Sequence, residues 1–442
     1  MEMKLIRIAK VAKAQPKERF TSLAHLINEN ALKQCHLEMS KRKASGIDNV
    51  TKEEYELDLD ANVRDLVNRM KRQAYKPQPV RRVYIPKTGS NKKRPLGIPT
   101  YEDKLVQANL KKILNAIYEQ DFLECSFGFR PNRGCHDALK VLNNIVNNPR
   151  INYVVDTDIR GFFDNVDHEW MMKFLEHRIA DPNILRLITR FLKAGIIEAG
   201  IKYDTPGGTP QGGVVSPILA NVYLHYVLDL WFEKRIRKMS KGLAYMVRYA
   251  DDSVFCFEFE EDARAFYTQM IKRLNKFNLE IAEEKTKIIN LNKREDGNSG
   301  KGPNKDTHTF DFLGFTHYPC LSEKGKVQIR RKTSKKKYRA SLFRVKEWIK
   351  RNRHMPSRDF MAKLNVKLLG YCRYYGVTGN RETVSNFIDE VKRLVYKWLN
   401  RRSQRKSFNW EKFNLFLKKF PIPRAKIYVN IFELKAGISY IL

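Results

Sequence analysis

The sequence predicts an α+β fold joined to a helical, strongly basic domain. Three observations carry that prediction. Between residues 151 and 291, short apolar runs of strand length alternate with longer amphipathic segments. The stretch "KPQPVRRVYIPKTGSNKKRPLGIPT" (76–100) contains Pro77, Pro79, Pro86, Pro95 and Pro99 and cannot be helical. After residue 319 the composition shifts: residues 321–410 hold 26 Lys and Arg against 6 Asp and Glu, a local net of +20.

The chain has 442 residues, of which 42% are hydrophobic, enough for a sizeable core in two or three domains. Its formal charge of +35 attracts polyanions, nucleic acid first and anionic membrane second. The six cysteines form no C-x-x-C pair, which argues against a zinc ribbon or a disulfide framework; they read as thiols of a reducing cytoplasm. No apolar run reaches the length of a membrane span. The N-terminus, "MEMKLIRIAKVAKAQPKERF", lacks the apolar core of a secretory signal. It reads as a basic arm that touches RNA, although an organellar transit peptide shares its composition.

Taken in order, residues 17–75 read as mostly helical, interrupted at "KASGIDNVT" (43–51), where Asp48 or Thr51 can cap the next helix. "VRRVYIP" and the turn "KTGSNKK" suggest a basic hairpin. A helix follows over about 101–120. "SFGFRPNRGCHDALK" (126–140) is a loop feeding a helix, and "INYVVDTDI" (151–159) a buried strand. Two helices follow. A Gly/Pro turn, "DTPGGTPQGG", then leads into a long apolar helix from about Ser216. "LAYMVRYADDSVFCFEF" (243–259) reads as two strands around a tight turn. An amphipathic helix comes next, and "EIAEEKTKIINL" returns as a strand. Residues 293–307 are a polar loop, and helices occupy the basic region beyond.

Two adjacent aspartates, Asp251 and Asp252, interrupt the apolar run "RYADDSVFCF" (248–257). A turn between strands would present them at a sheet edge, where a cation could neutralise them. Mg²⁺ takes one or two carboxylates plus substrate phosphates. Asp156 and Asp158, two apart on a strand, share a face and offer a third carboxylate. Two cations about 4 Å apart would activate an attacking hydroxyl and stabilise a leaving pyrophosphate.

"RPLGIPT", "SFGFRPNRG", "DTDIRGFFD", "PQGGVVSP" and "YADD", in that order, resemble the motif series of reverse transcriptases. Their wording resembles the proteins encoded within bacterial group II introns, over about residues 43–400. The resemblance implies a right-hand polymerase: a basic extension (1–40), fingers (41–150), a palm with an antiparallel sheet (151–320), and an α-helical thumb or maturase domain (321–405). Residues 406–442 read as a reduced DNA-binding segment or a docking element. Nothing in the sequence resembles the His-Asn-His nuclease that many members carry, so integration is expected to use a nick, a fork primer or another protein.

The resemblance also implies roles. Asp158 matches the aspartate of the first carboxylate motif, leaving Asp156 as its neighbour. Asp251 and Asp252 match the second, and the backbone carbonyl of Ile159 completes the ligands of two Mg²⁺ ions, with Mn²⁺ able to substitute. Phe163 would exclude a 2′-hydroxyl, whereas Phe162 reads as core. Gln211 and Gly212 would lie at the incoming nucleotide. Lys87 and Arg94 would clasp its triphosphate, with Lys92 and Lys93 as rivals. Lys285, or its neighbour Lys287, would protonate pyrophosphate. Arg130 would contact template or support the fingers. Leu313 and Gly314, in "FLGF", would hold the primer end.

The expected partners are intron RNA, an RNA template with a DNA or RNA primer, dNTPs and target DNA, with no membrane. The expected location is the bacterial cytoplasm. A homodimer is left open. The expected activity is RNA-directed DNA synthesis, with binding of the intron RNA assisting splicing and mobility. Two rivals stand beside it: a defence-type reverse transcriptase without an intron, and a splicing factor without polymerase activity.

Overall fold

The computed structural model describes residues 2–86, 93–198, 201–204, 207–209, 212–291, 308–322, 325–402, 404 and 407–433. They fall into two compact units. The first gathers the described residues of Met1–Lys87, Lys92–Cys135 and Thr157–Lys287; the second gathers those of His136–Asp156 and Ile288–Leu442. Helix and sheet are mixed in both. No helix among the described residues is long and apolar enough to cross a membrane. The six cysteines are free thiols.

In the first unit, strands β1 (Val80–Pro86) and β2 (Lys93–Ile98) form the expected antiparallel hairpin, with Arg81 opposite Ile98 and Ile85 opposite Arg94. Strand β3 (Tyr153–Thr157) enters this unit only with its last residue. Strands β4 (Ile196–Glu198) and β5 (Ile201–Tyr203) extend the hairpin into a sheet of order β2-β1-β4-β5, in which β4 runs parallel to β1. Strands β6 (Ala244–Tyr249) and β7 (Asp252–Phe257) form a second antiparallel hairpin. The inward rings of β7 pack on the helix Glu260–Asn275, with Phe255 and Phe257 at 4.4 and 5.2 Å from Phe266.

Capping sets the helix starts. Thr100 accepts from the Asp103 N–H and opens the helix Tyr101–Tyr118. Asp181 caps Pro182–Leu192 through Asn183 and Ile184, and its other oxygen accepts from Leu23 and Ala24. Burial pushes the Asp181 carboxyl up, but these four backbone donors outweigh it and hold it below the usual range.

The N-terminal region departs from expectation. A helix forms at Glu2–Ala14 and packs against Tyr101–Tyr118, and the next α-helix begins only at Glu29. Arg178 reaches the carbonyls of Ala12 and Gln15, so part of the expected arm is tied down. The apolar helix from Ser216 continues through two π-helical turns, His225–Asp229 and Phe232–Ile236.

In the second unit, strand β8 (Lys287–Asn290), whose first residue belongs to the first unit, is shorter than expected, because Glu283–Lys285 form a turn. Strands β9 (Phe310–Phe312), β10 (Phe315–Leu321) and β11 (Val327–Thr333) form a sheet of order β11-β10-β9. Helices Lys335–Asn352, Ser357–Tyr375, Arg381–Leu399 and Trp410–Lys419 follow. Tyr371 stacks on Phe387 with ring centres 3.7 Å apart, joining two of them.

Candidate active site

The β6–β7 register pairs Tyr249 with Asp252, so the turn consists of Ala250 and Asp251. This corrects the expectation that both aspartates form the turn: Asp252 is the first residue of β7. Ala250 adopts a left-handed φ of 59°.

Thr157 Oγ1, at the end of β3, bonds the carbonyl and the hydroxyl of Ser253 at 3.2 and 2.9 Å. That contact ties the residue before Asp158 to the strand that follows Asp251. Asp158 lies just past the strand rather than within it. The Asp158 carbonyl accepts from Ala282 N and the Arg160 N–H donates to Glu280 O, each at 2.8 Å, so Ile159 faces Ile281 across an isolated bridge.

The two carboxylates sit in different surroundings. Burial is the largest influence on Asp251 and pushes its carboxyl up; the charge of Asp158 pushes the same way. Its own backbone N–H, then Arg94 and Arg248, pull it back without cancelling the rise. Asp158 is 44% exposed, and its Oδ2 is paired with Lys285 Nζ. An exposed pair of this kind contributes little to stability and exchanges readily. Lys285 itself lies in the turn before β8, not on the strand, which removes the shared strand face expected with Lys287.

Among the described residues, no three His, Cys, Asp or Glu side chains alone enclose an ion. The donor set still fits Mg²⁺. A half-buried carboxylate raised by desolvation, and further by a second carboxylate, marks a place short of positive charge. Hard oxygen donors supplied one or two at a time, the rest coming from water and phosphate, are what Mg²⁺ accepts.

The remaining expected residues divide. Arg94 is exposed on β2, and its charge acts on Asp251. Phe163 is half-buried, with its ring edge-on to buried Phe162 at 5.2 Å. It lines a cleft of about 710 Å³ with Arg82, Asp164, Gly208 and Thr209. Gly212 has φ +112°, and a Cβ there would lie 2.7 Å from the Gly97 carbonyl, so its bareness serves contact with β2. Lys87, Lys92 and Gln211 lie outside the described residues.

Arg130 is internal. Its guanidinium bonds Glu119 and the carbonyls of Leu123 and Ser126, and its side chain is 3% exposed. These bonds lie within the segment 119–130, whose Arg130 is expected to contact template or support the fingers.

Leu313 and Gly314 belong to the second unit. They form the β9–β10 turn, with φ of 49° and 82°. Tyr374 Oη donates to the Leu313 carbonyl at 2.8 Å, and the missing Cβ of Gly314 faces the Tyr375 hydroxyl.

The sequence reading passed over Arg248, whose guanidinium bonds the carbonyl of Ala250 in the turn. An arginine inside an otherwise apolar strand was the available signal.

With this geometry in view, comparison with known proteins is direct. Residues 85–317 match the family described as reverse transcriptase (RNA-dependent DNA polymerase), and residues 338–416 match the group II intron maturase-specific domain. The chain is 29% identical to the group II intron-encoded protein LtrA of Lactococcus lactis subsp. cremoris, over 87% of this chain and 75% of that protein. It is 33% identical to protein YkfC of Escherichia coli (strain K12), over 52% of this chain and 64% of that one. A 91 kDa protein in the cob intron of Schizosaccharomyces pombe is 42% identical over 38% of this chain and 20% of its own length.

Proposed function

The chain belongs to the reverse transcriptase family, as an RNA-directed DNA polymerase of the group II intron maturase kind, and on that premise we propose that its polymerising centre is the Ala250–Asp252 turn together with Asp158. The observation that carries this reading is the bonding of Thr157 to Ser253, which brings Asp158 beside the turn that bears the half-buried Asp251, whose carboxyl is raised by burial and then by the charge of Asp158. Asp158 and Asp251, with Asp252 and the Ile159 carbonyl beside them, would hold the two Mg²⁺ ions. Bound there, divalent cations would make the primer 3′-hydroxyl a better nucleophile and offset the charge of the departing pyrophosphate.

The chain's own groups supply the rest. Lys285, an ion-pair partner of Asp158, would give a proton to pyrophosphate. Arg94, exposed and within electrostatic reach of Asp251, offers a bidentate fork to the triphosphate. The half-buried Phe163, which lines the cleft, would exclude a 2′-hydroxyl. Lys87, Gln211 and Gly212 keep their expected nucleotide roles.

Residues 41–150 would act as fingers, 151–320 as palm and 321–405 as thumb. The basic helices of the thumb would hold intron RNA mainly by backbone and shape, assisting splicing and mobility. Template–primer, dNTPs and target DNA complete the proposed partners, and the bacterial cytoplasm is the proposed place of action.

Primer extension on an RNA template tests the centre. Asp251→Asn should lower the rate about a thousandfold or more, because a neutral amide cannot replace a carboxylate at a cation site. Equal extension by variant and wild type would remove Asp251 from the centre.

A further inference from the structure

Asp251 stands on a turn whose shape is imposed from beneath. The left-handed φ of Ala250 is unfavourable for a residue with a Cβ, so the surroundings must hold it. The Ala250 carbonyl accepts from Arg248 Nη1 at 2.8 Å.

Arg248 is fully buried, and five hydrogen bonds take up its donors. Nε and Nη2 meet the two oxygens of Asp229, the first at 2.7 Å. Nη1 also meets Asn221 Oδ1 at 3.1 Å, and Nη2 meets Ser126 Oγ at 2.8 Å. Asp229, Asn221 and Ser126 are themselves buried.

The loop at 125–128 closes over the same place. The Arg248 N–H donates to Cys125 O, and the Phe127 N–H donates to Arg248 O. A Cβ on Gly128 would sit 2.2 Å from Ala250 N, so that backbone lies directly on the turn. Asn221 Nδ2 holds the Gly128 carbonyl at 2.7 Å, so one amide serves both the guanidinium and the loop.

Stability does not explain this arrangement. A buried ion pair is commonly no better than well-packed apolar side chains of the same volume. What an apolar side chain cannot do is bond the Ala250 carbonyl.

We infer that Arg248, fixed by Asp229 and Asn221, is a positioning residue for polymerisation: through the Ala250 carbonyl it sets the turn that aims the Asp251 carboxylate. This rests on the reading of Asp251 as a catalytic group. Arg248 acts through backbone and touches neither substrate nor template.

The test pairs kinetics with hydrogen exchange on the full chain. Arg248→Lys keeps the charge and loses the fork. It should lower kcat about thirtyfold with KM for dNTP changed less than about threefold, as expected for a misaimed reacting group. Exchange in residues 249–252 should rise about tenfold while the helix Tyr101–Tyr118 keeps its protection. Ser126→Ala removes one of the five bonds and should give the same pattern at about threefold in kcat. It decides the matter if Arg248→Lys fails to fold. Asp251→Asn runs alongside. If it still extends primers, the catalytic reading fails. If it is inactive while Ser126→Ala and Arg248→Lys keep wild-type kcat and exchange, the positioning role fails alone. A uniform rise of exchange across the first unit would also overturn it, leaving Arg248 as scaffold.

Discussion

The two units use positive charge in opposite ways. In the first, Arg130, Arg178 and Arg248 are internal, their side chains 3%, 2% and 0% exposed, and each meets a carboxylate: Glu119, Asp121 and Asp229. In the second, Lys335, Lys336, Lys337 and Arg339 stand exposed on one helix. Among the described residues, the ion pairs of this unit's helices are local, Lys392 with Asp389 and Arg393 with Glu390. The buried cations hold backbone: Arg178 bonds two carbonyls, Arg130 two and Arg248 one. The exposed ones create a field. Positive charge therefore has two uses: the internal arginines, each cancelled by a carboxylate, serve architecture, and the exposed cations that make up the excess of +35 attract polyanions. Arg331 is the second unit's exception, buried on neutral partners, Asn143 and the Thr378 carbonyl. Burial pulls its guanidinium down to about 10.

The sharpest way to break this contrast is to remove one cation of each kind. Arg178→Met leaves Asp121 without its partner and two carbonyls without donors. Urea unfolding should show a loss of about 3–5 kcal/mol, the usual result of breaking a buried pair from one side. RNA affinity and its salt dependence should stay as they were. An affinity loss without a stability loss would mean that this arginine belongs to the RNA-facing class.

The exposed class should answer in reverse. The helix Lys335–Asn352 begins with three lysines, has no acid in its first turn and no side-chain cap. Those lysines oppose the helix dipole, so they do not serve the helix itself. Replacing Lys335, Lys336 and Lys337 with Gln should leave stability within about 0.5 kcal/mol. RNA affinity should fall about a hundredfold at physiological salt, and the slope against log salt should shrink by about 2–3. Filter binding across a salt series reads both. An unchanged slope would remove this helix from the RNA surface.

That contrast also marks what the sequence could disclose. The fold class, the β1–β2 hairpin, the β6–β7 hairpin and the charge shift near residue 320 were legible, because alternation, proline and charge are local signals. The spacing around "YADD" pointed to the turn but misplaced it by one residue: register depends on which pair closes the hairpin, and Ala250 takes the left-handed position that Asp often fills. Asp158 read as strand because its apolar neighbours do, yet Thr157 ends the ladder and frees the next residue to turn. Arg130 was opaque, and Arg248 showed only as a charge inside an apolar strand, without disclosing its partner. Nothing local distinguishes an arginine that will meet Glu119 or Asp229 inside a core from one that will meet phosphate. The π-helical turns after Leu224 left no local mark either, since their apolar residues suit an α-helix equally well.

The smallest expected effect separates the units by pH. Each holds buried histidine: His225 in the first, pulled down to about 4 mainly by burial, with His36 of that unit also lowered by burial, and His317 in the second, pulled down to about 3 by burial and then by Arg331. Neither His317 ring nitrogen has a hydrogen-bond partner among the described residues, and the ring stacks on Phe310 at 4.7 Å. For each, the folded pKa lies below the unfolded value of about 6.5. The unfolded chain then binds the extra proton, so the stability present above about pH 6.5 drains away as pH falls, by at most about 1.4 kcal/mol per pH unit for each histidine. The first unit carries an opposing group. Burial raises Asp121 to about 6 despite Arg178, so its folded form takes up a proton first and gains stability as pH falls from about 6 toward 4. The two effects partly cancel in the first unit and have no such counterweight at His317. Hydrogen exchange at pH 6.5 and 4.5, corrected for intrinsic rates, should therefore show the sheet β9–β11 losing protection faster than the helix Tyr101–Tyr118. His317→Phe, which keeps a ring in the stack and removes the titrating group, should flatten that loss. Equal loss in both units, or no change on His317→Phe, would show that the buried imidazole does not set the second unit's response to acid.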